Sequence, residues 1–327
     1  MKLISRTEVE NNLRIEQCIA LLSDAMVAVS RGQASQLVRQ FLEIPGEPGK
    51  MAIMPGTMGD PACFGIKLVC KYHRPPGDPL GTHVGMVMLF DSARGIPLAM
   101  VEGSALTGIR TAAASGLATD ILARDDAHRL AILGKGEQAS RHIDAMIAVR
   151  PIDTIVVWGR DLEQTNQFAE VIAHRTGVST CAAATPAEAV RGADIVCTTT
   201  SAKLPFLYGA DLEPGQHLNL VGSAIPTTAE VDGTAVQRGR FFVDSRESAM
   251  AAAGELLGAI RDGLVDADHV RGEIGEVIDG RVEGRTSRDQ ITIYKSLGIP
   301  AQDLAAAHAL WRRASSGTFG VDFDILQ

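Results

Sequence analysis

The segment LAILGKGEQA, residues 130 to 139, sets Gly134, Gly136 and Ala139 in the spacing G-x-G-x-x-A directly behind the apolar run Leu130 to Leu133. That pattern is the turn from strand to helix in a dinucleotide-binding βαβ unit. Gly134 permits the tight turn. Gly136 lets a pyrophosphate approach the backbone at the positive end of the helix, and Ala139 lets helix and strand pack closely. The next strand, TIVVWG, ends at Gly159 and Arg160. Enzymes that take NAD usually place an acid there to accept the ribose 2′-hydroxyl. Glycine leaves room for a 2′-phosphate, and Arg160 offers it a planar cation. NADP(H) is therefore favoured, with NAD(H) as the alternative and Asp161 as the acid that would serve it.

Two further cations stand in apolar surroundings. Lys67 lies within FGIKLV, where an ammonium is costly without a partner or a task. Arg110 lies within TGIRTAAAS, a small and apolar stretch in which a guanidinium needs an anion. A substrate carboxylate or a phosphate of the cofactor would supply one. Arg39, within VRQFL, poses the same question less sharply.

These residues need a frame. Residues 7 to 31 read as one helix, with Thr7 as its cap. Between 36 and 101 the runs QLVRQFLEI, GKMAIMPG, FGIKLVCKYH, HVGMVMLFDS and IPLAMVEG are broken by Gly, Pro and Asp, the pattern of an antiparallel β region. Residues 104 to 122 read as a long Ala-rich helix. From 128 strands alternate with helices: strands LAIL, TIVVWG, STCAA, DIVCTTT and HLNLVGS, and helices over 137–149, 163–176 and 186–191. Alternation of that kind means an α/β doubly wound parallel sheet. Residues 298 to 315 read as a last helix. The expected division is a β-rich α+β domain over 1–125 with 304–327, for substrate binding and dimerisation, and a Rossmann domain over 126–303.

Composition narrows the partners. In 327 residues the hydrophobic share is 46%, the aromatic share 4% and the net charge −8. Few aromatics and no basic run argue against nucleic acid. No apolar stretch is long enough for a membrane span, and the N-terminal stretch lacks the apolar core of a signal peptide. Five scattered cysteines without a C-x-x-C pair fit reduced thiols in a cytoplasm, and no metal site is expected. The short apolar strands of the first domain predict a homodimer.

Four segments together resemble the ornithine cyclodeaminase and mu-crystallin family: LTGIRTAAASGLAT, GKGEQASRH, HLNLVGSAIPTTAEVD and YKSLGIPAQDLAAA. The resemblance covers nearly the whole chain. It implies a β-rich substrate and dimer domain followed by a Rossmann domain. It implies Lys67 as the active-site lysine, Arg39 as an arginine for the substrate carboxylate, and Arg110 as an arginine between substrate and cofactor. It implies cofactor contacts at Thr82, Glu137, Gln138, Thr200, Val221, Gly222, Ser223 and Ser296, and an apolar substrate contact at Leu297. His83 reads equally as a packed loop histidine and as a proton carrier.

The chain departs from the cyclodeaminases at two acids. Ala52 stands where one pocket carboxylate is expected, and Ala224 stands where the other follows the V-G-x segment. An ornithine ammonium buried without a partner would be strongly unfavourable. Asp60 and Asp78 are the acids that could move in. Ketimine reductases like mu-crystallin also lack the second acid, because a preformed imine needs only a hydride and a proton. The expected function is reduction of a small cyclic imino acid, Δ1-pyrroline-2-carboxylate or Δ1-piperideine-2-carboxylate, with Lys67 as the acid. A cyclodeaminase, an alanine-type dehydrogenase and a non-catalytic NADPH-binding protein are the alternatives.

Overall fold

The long apolar runs between 50 and 102 form strands along which buried and more open side chains alternate, as period 2 requires. The computed structural model describes residues 1–72, 80, 83–317 and 319–325. It separates into two units, Met1–Arg110 with Gly298–Gln327, and Thr111–Leu297. The first unit begins with β1 (Lys2–Ile4), α1 (Arg6–Asn12), α2 (Ile15–Ser30), β2 (Ala34–Gln36) and β3 (Gln40–Glu43). Then come β4 (Lys50–Met58), β5 (Cys63–Lys71), β6 (His83–Asp91) and β7 (Pro97–Glu102). The single helix expected over 7–31 is two helices. Glu8 accepts from the N–H and hydroxyl of Ser5 at 2.8 and 2.7 Å, so the first is capped by Ser5 and starts at Arg6, one residue early. It stops because Leu13 takes an extended backbone and buries its side chain.

Helix α3 (Gly103–Leu122) follows, and the division between the units falls inside it. The boundaries at 110/111 and 297/298 thus differ from the expected 125/126 and 303/304. A continuous helix carries no linker composition that could mark such a boundary. Arg110 through Thr119 are all buried, so α3 has no polar stripe, and its small residues are what an enclosed helix requires.

The second unit contains β8 (Arg129–Leu133), α4 (Glu137–Val149), β9 (Thr154–Trp158), α5 (Leu162–Thr176), β10 (Ser179–Ala183), α6 (Pro186–Val190) and β11 (Ile195–Thr198). It continues through β12 (His217–Leu220), α7 (Gly233–Arg238), β13 (Arg240–Val243), α8 (Arg246–Ala252), α9 (Gly254–Arg261), β14 (Val270–Glu273), α10 (Ile274–Ile278) and β15 (Thr292–Lys295). The strands form one sheet in the order β10-β9-β8-β11-β12-β15-β13-β14, and every pairing is parallel. The order turns outward in both directions from β8 and β11, which makes a switch point at their carboxyl ends. The expected doubly wound sheet is there. Sequence reading reaches five of its strands and misses β13, β14 and β15.

The chain returns to the first unit through α11 (Pro300–Ser316) and ends in β16 (Val321–Asp322). The first unit's sheet runs β16-β1-β7-β6-β5-β4-β2, with β3 also on β4. All its pairs are antiparallel except β1 with β7. Helix α11 packs against α2 and over β4 and β5. Gly65 makes this close approach feasible: a Cβ there would lie 2.7 Å from Leu304 Cδ2 and 2.2 Å from the Met88 carbonyl oxygen. On β5 the buried face carries Cys63, Gly65, Lys67 and Val69. Strand alternation therefore commits Lys67 to the face that α11 covers.

Candidate functional site

In the first unit the cations meet around one carboxylate. Lys67 Nζ lies 2.8 Å from Asp303 Oδ1, and Arg110 Nε lies 3.0 Å from the same oxygen. The side chains are 3%, 4% and 1% exposed, so the cluster is dry. Arg110 Nη1 also donates to Gln302 Oε1 at 2.9 Å, and Arg39 Nη2 donates to the Gly298 carbonyl at 3.2 Å. Gly298 has φ +77°, and a Cβ there would lie 2.5 Å from Arg110 Nη1. It must be glycine both for its backbone and for the guanidinium beside it. Asp303 and Gln302 come from the first turns of α11, and Lys67 from the strand beneath.

The charges do not cancel. Lys67 and Arg110 share one carboxylate, which leaves this pair of cations suited to a further anion. Burial, then Arg110, lowers the Lys67 pKa; Asp303 opposes them, Arg39 adds to them, and the result is about 7. Burial alone would raise the Asp303 carboxyl, but Arg110 and then Lys67 outweigh it and hold it below the usual carboxylate range. Lys67 can therefore hold or release a proton near neutral pH while Asp303 stays ionised. Desolvation and the positive charges of Lys71, Lys67 and Arg39 bring His83, at the head of β6, to about 4. That shift favours the neutral imidazole at physiological pH. Asp303 Oδ2 is buried and has no partner among the described residues.

Ala52 is buried on β4 opposite Phe41 and Val69. Asp60 is exposed in the turn from β4 to β5. Asp78 and the expected cofactor contact Thr82 lie outside the described residues. Ala224 packs on the second unit's apolar core. Asp303 is the acid that Lys67 meets.

In the second unit the backbone forms the site. Gly134 has φ +132°, and a Cβ there would lie 2.6 Å from Thr199 Oγ1. Its N–H bonds the Trp158 carbonyl at 2.8 Å, which pins the turn to β9. Gly136 caps α4 without a side chain and has open space where a Cβ would stand. The first N–H groups of α4, those of Glu137, Gln138 and Ala139, thus have room for an anion. Ala139 is fully buried against the sheet, and the buried Gln138 Oε1 has no partner among the described residues. Ser296 Oγ, just past β15, is likewise buried and unpartnered among them. Leu297 follows, its N–H bonded to Asp244 at 2.9 Å. These features fit a dinucleotide: a cradle that a Cβ would fill, an open helix end and buried polar atoms awaiting partners.

At the end of β9, a Cβ on Gly159 would lie 2.7 Å from Thr165 Oγ1 and 3.3 Å from Lys135 Cδ. Arg160 is exposed. Asp161 is already engaged: it caps α5, accepting from the Gln164 N–H and from Gln164 Nε2 at 3.0 Å each. Part of its accepting capacity is thus taken up by the cap. Lys135, which the motif leaves as an unspecified position, donates to Gln164 Oε1 and puts a second cation beside Gly159.

Sequence reasoning thus named Lys67, Arg39 and Arg110 but missed Asp303, Gln302 and Lys135. The one signal for Asp303 was an acid inside QDLAAA, an otherwise apolar run.

The profile of the ornithine cyclodeaminase/mu-crystallin family matches residues 1–318. A Δ1-pyrroline-2-carboxylate reductase of Bacillus cereus is 36% identical over 317 residues, spanning 96% of this chain and 97% of the relative. Among solved structures, the Thermococcus litoralis Δ1-pyrroline-2-carboxylate reductase in complex with NADH and L-proline superposes with TM-score 0.95 at 28% identity, covering 99% of this chain and 100% of that one. An archaeal alanine dehydrogenase dimer with bound NAD superposes with TM-score 0.93 at 27% identity, covering 100% and 99%. With its lysine, its arginines and its glycine turn in place, the chain belongs to the ornithine cyclodeaminase/mu-crystallin family.

Proposed function

We propose that the protein is an NAD(P)H-dependent reductase of small cyclic imino acids, converting Δ1-pyrroline-2-carboxylate or Δ1-piperideine-2-carboxylate to proline or pipecolate. The observation that carries this reading is the buried Lys67–Asp303–Arg110 cluster, with a lysine poised near neutrality and no second pocket acid at Ala52 or Ala224. When bound, the reduced nicotinamide supplies a hydride to the imine carbon. Arg39 and Arg110 hold the substrate carboxylate and fix its orientation. The Lys67 ammonium gives the ring nitrogen the proton that completes the secondary amine, and Asp303 orients that ammonium. Leu297 is the apolar wall for the ring. Gly134, Gly136, Glu137, Gln138 and Ala139 receive the pyrophosphate, and Thr200, Val221 to Ser223 and Ser296 the rest of the dinucleotide.

NADP(H) is favoured over NAD(H), because Arg160 and Lys135 flank Gly159 while Asp161 is partly taken up by its helix cap. A homodimer through the first unit is supported by exposed Leu37, Phe41 and Leu42 on and beside β3, an apolar surface that a partner would cover. A monomer at micromolar concentration in light scattering would rule it out. Among the described residues no helix is long and apolar enough to cross a membrane. The five free cysteines support a cytoplasmic setting, which a secreted, disulfide-bonded form would refute.

The decisive assay mixes purified protein, NADPH and Δ1-pyrroline-2-carboxylate. Proline should form in step with loss of NADPH, and L-ornithine with NAD should give no ammonia. Proline from ornithine would establish a cyclodeaminase instead. Faster turnover of pyruvate with ammonia would establish an alanine-type dehydrogenase.

A further inference from the structure

Glu230 is completely buried, yet it belongs to neither set of residues above. It follows β12 in the stretch TTAEVD. A carboxylate out of water is costly unless donors surround it. Four do: Thr200 N and Thr200 Oγ1 reach Oε1, and Thr198 Oγ1 and Gly222 N reach Oε2, each at 2.7 Å. Thr198 ends β11, and Gly222 stands just past β12, the parallel strand beside it. One side chain thus ties two neighbouring carboxyl ends together. Gly222 has no room for more: a Cβ there would lie 2.0 Å from the Thr200 carbonyl oxygen and 2.5 Å from Glu230 Oε1.

The support continues beyond Glu230. Lys295, ending β15, pairs with Glu255 at 3.0 Å and donates to the Ser223 carbonyl at 2.5 Å. Glu255 in turn accepts the backbone N–H of Glu230 at 3.2 Å. The ends of β11, β12 and β15 are therefore laced by buried charge at the edge where open parallel sheets take their ligands. The glycine turn and the end of β9 occupy the half of the sheet that takes the pyrophosphate and adenosine. The laced segments belong to the other half.

We infer that Glu230 is a positioning residue for the cofactor: its carboxylate holds Thr200 and the Val221–Ser223 segment at the spacing that receives the nicotinamide half of the dinucleotide. Both oxygens are already occupied by protein donors, so it acts through its neighbours. This rests on the dinucleotide reading above.

Glu230→Gln tests it. The change keeps the shape but turns one acceptor into a donor that faces other donors. The Kd and KM for NADPH should rise about tenfold or more. The KM for Δ1-pyrroline-2-carboxylate should stay within about twofold, because the first unit's cations are untouched. A lower Tm of the free protein with NADPH affinity unchanged would make Glu230 merely structural and overturn the inference. Should that variant fail to fold, Thr198→Val removes a single donor, and the NADPH Kd should rise about threefold; an unchanged Kd would equally overturn it. If the parent protein bound no dinucleotide, the broader reading would fall first. If the parent binds NADPH and Glu230→Gln binds it as well, only the inference falls.

Discussion

The two units prepare their ligands with different material. In the first, side chains do the work: Lys67, Arg39 and Arg110 come from separate stretches and gather near Asp303, which lies 236 residues from Lys67 along the chain. In the second, backbone does it: Gly134 and Gly136 leave space and N–H groups, within a segment of ten residues that can be read at sight. A cluster of charges can be retuned one group at a time, because Arg110 and Asp303 both act on the proton affinity of Lys67. A backbone cradle has little to tune and is lost mainly by adding atoms.

The difference is tested hardest at Asp303. Asp303→Asn would leave Lys67 and Arg110 buried beside a neutral amide. Asp303 favours the Lys67 ammonium, so without it the Lys67 pKa drops further and less acid remains at neutral pH. Imine reduction should fall about a hundredfold. Breaking a buried pair should also cost about 3–5 kcal/mol, read as a lower denaturant midpoint. Most of the expected NADPH contacts belong to the other unit, so the NADPH Kd should change far less than the rate. Parental rates in this variant would dissolve the distinction between the two kinds of site.

The pH profile comes next in size. Lys67 is lowered from 10.5 to about 7, so its ammonium is present below that pH and lost above it. With Lys67 as the proposed acid, reduction would consume that proton. At saturating NADPH, kcat/KM for the imine should fall about tenfold per pH unit on the alkaline side of about 7. A profile flat from pH 6 to pH 9 would remove Lys67 as the acid.

Arg160 sharpens the other side of the comparison. Arg160→Ala should raise the KM for NADPH about tenfold and leave that for NADH nearly unchanged. Lys135 remains beside Gly159 in this variant, so some preference for NADPH should persist. Equal kcat/KM for the two cofactors in the parent would undo the reading of Gly159 and Arg160.

The contrast also explains what the sequence makes legible. The glycine turn is local, so the spacing of Gly134, Gly136 and Ala139 locates its strand, helix α4 and open helix end together. Lys67 and Arg110 stand out because a charge in an apolar run is anomalous wherever its partner lies. The partner is the part that stays hidden. No spacing rule links β5 to the first turn of α11, and Asp303 acquires its meaning only once the sheet and helix pack. The same limit hides Glu230, whose four donors come from two strand ends. Asp161 shows the same limit: in the sequence it is an acid near the ribose position, and only the helix start at Leu162 shows that it also caps α5.

The most direct measurement is NADPH titration and single-turnover reduction on the same preparation of Lys67→Met. If the first unit supplies the proton and the second holds the dinucleotide, NADPH binds with parental affinity while Δ1-pyrroline-2-carboxylate reduction falls by a factor on the order of a thousand. Reduction at a near-parental rate, or loss of NADPH binding together with activity, would contradict that division of labour.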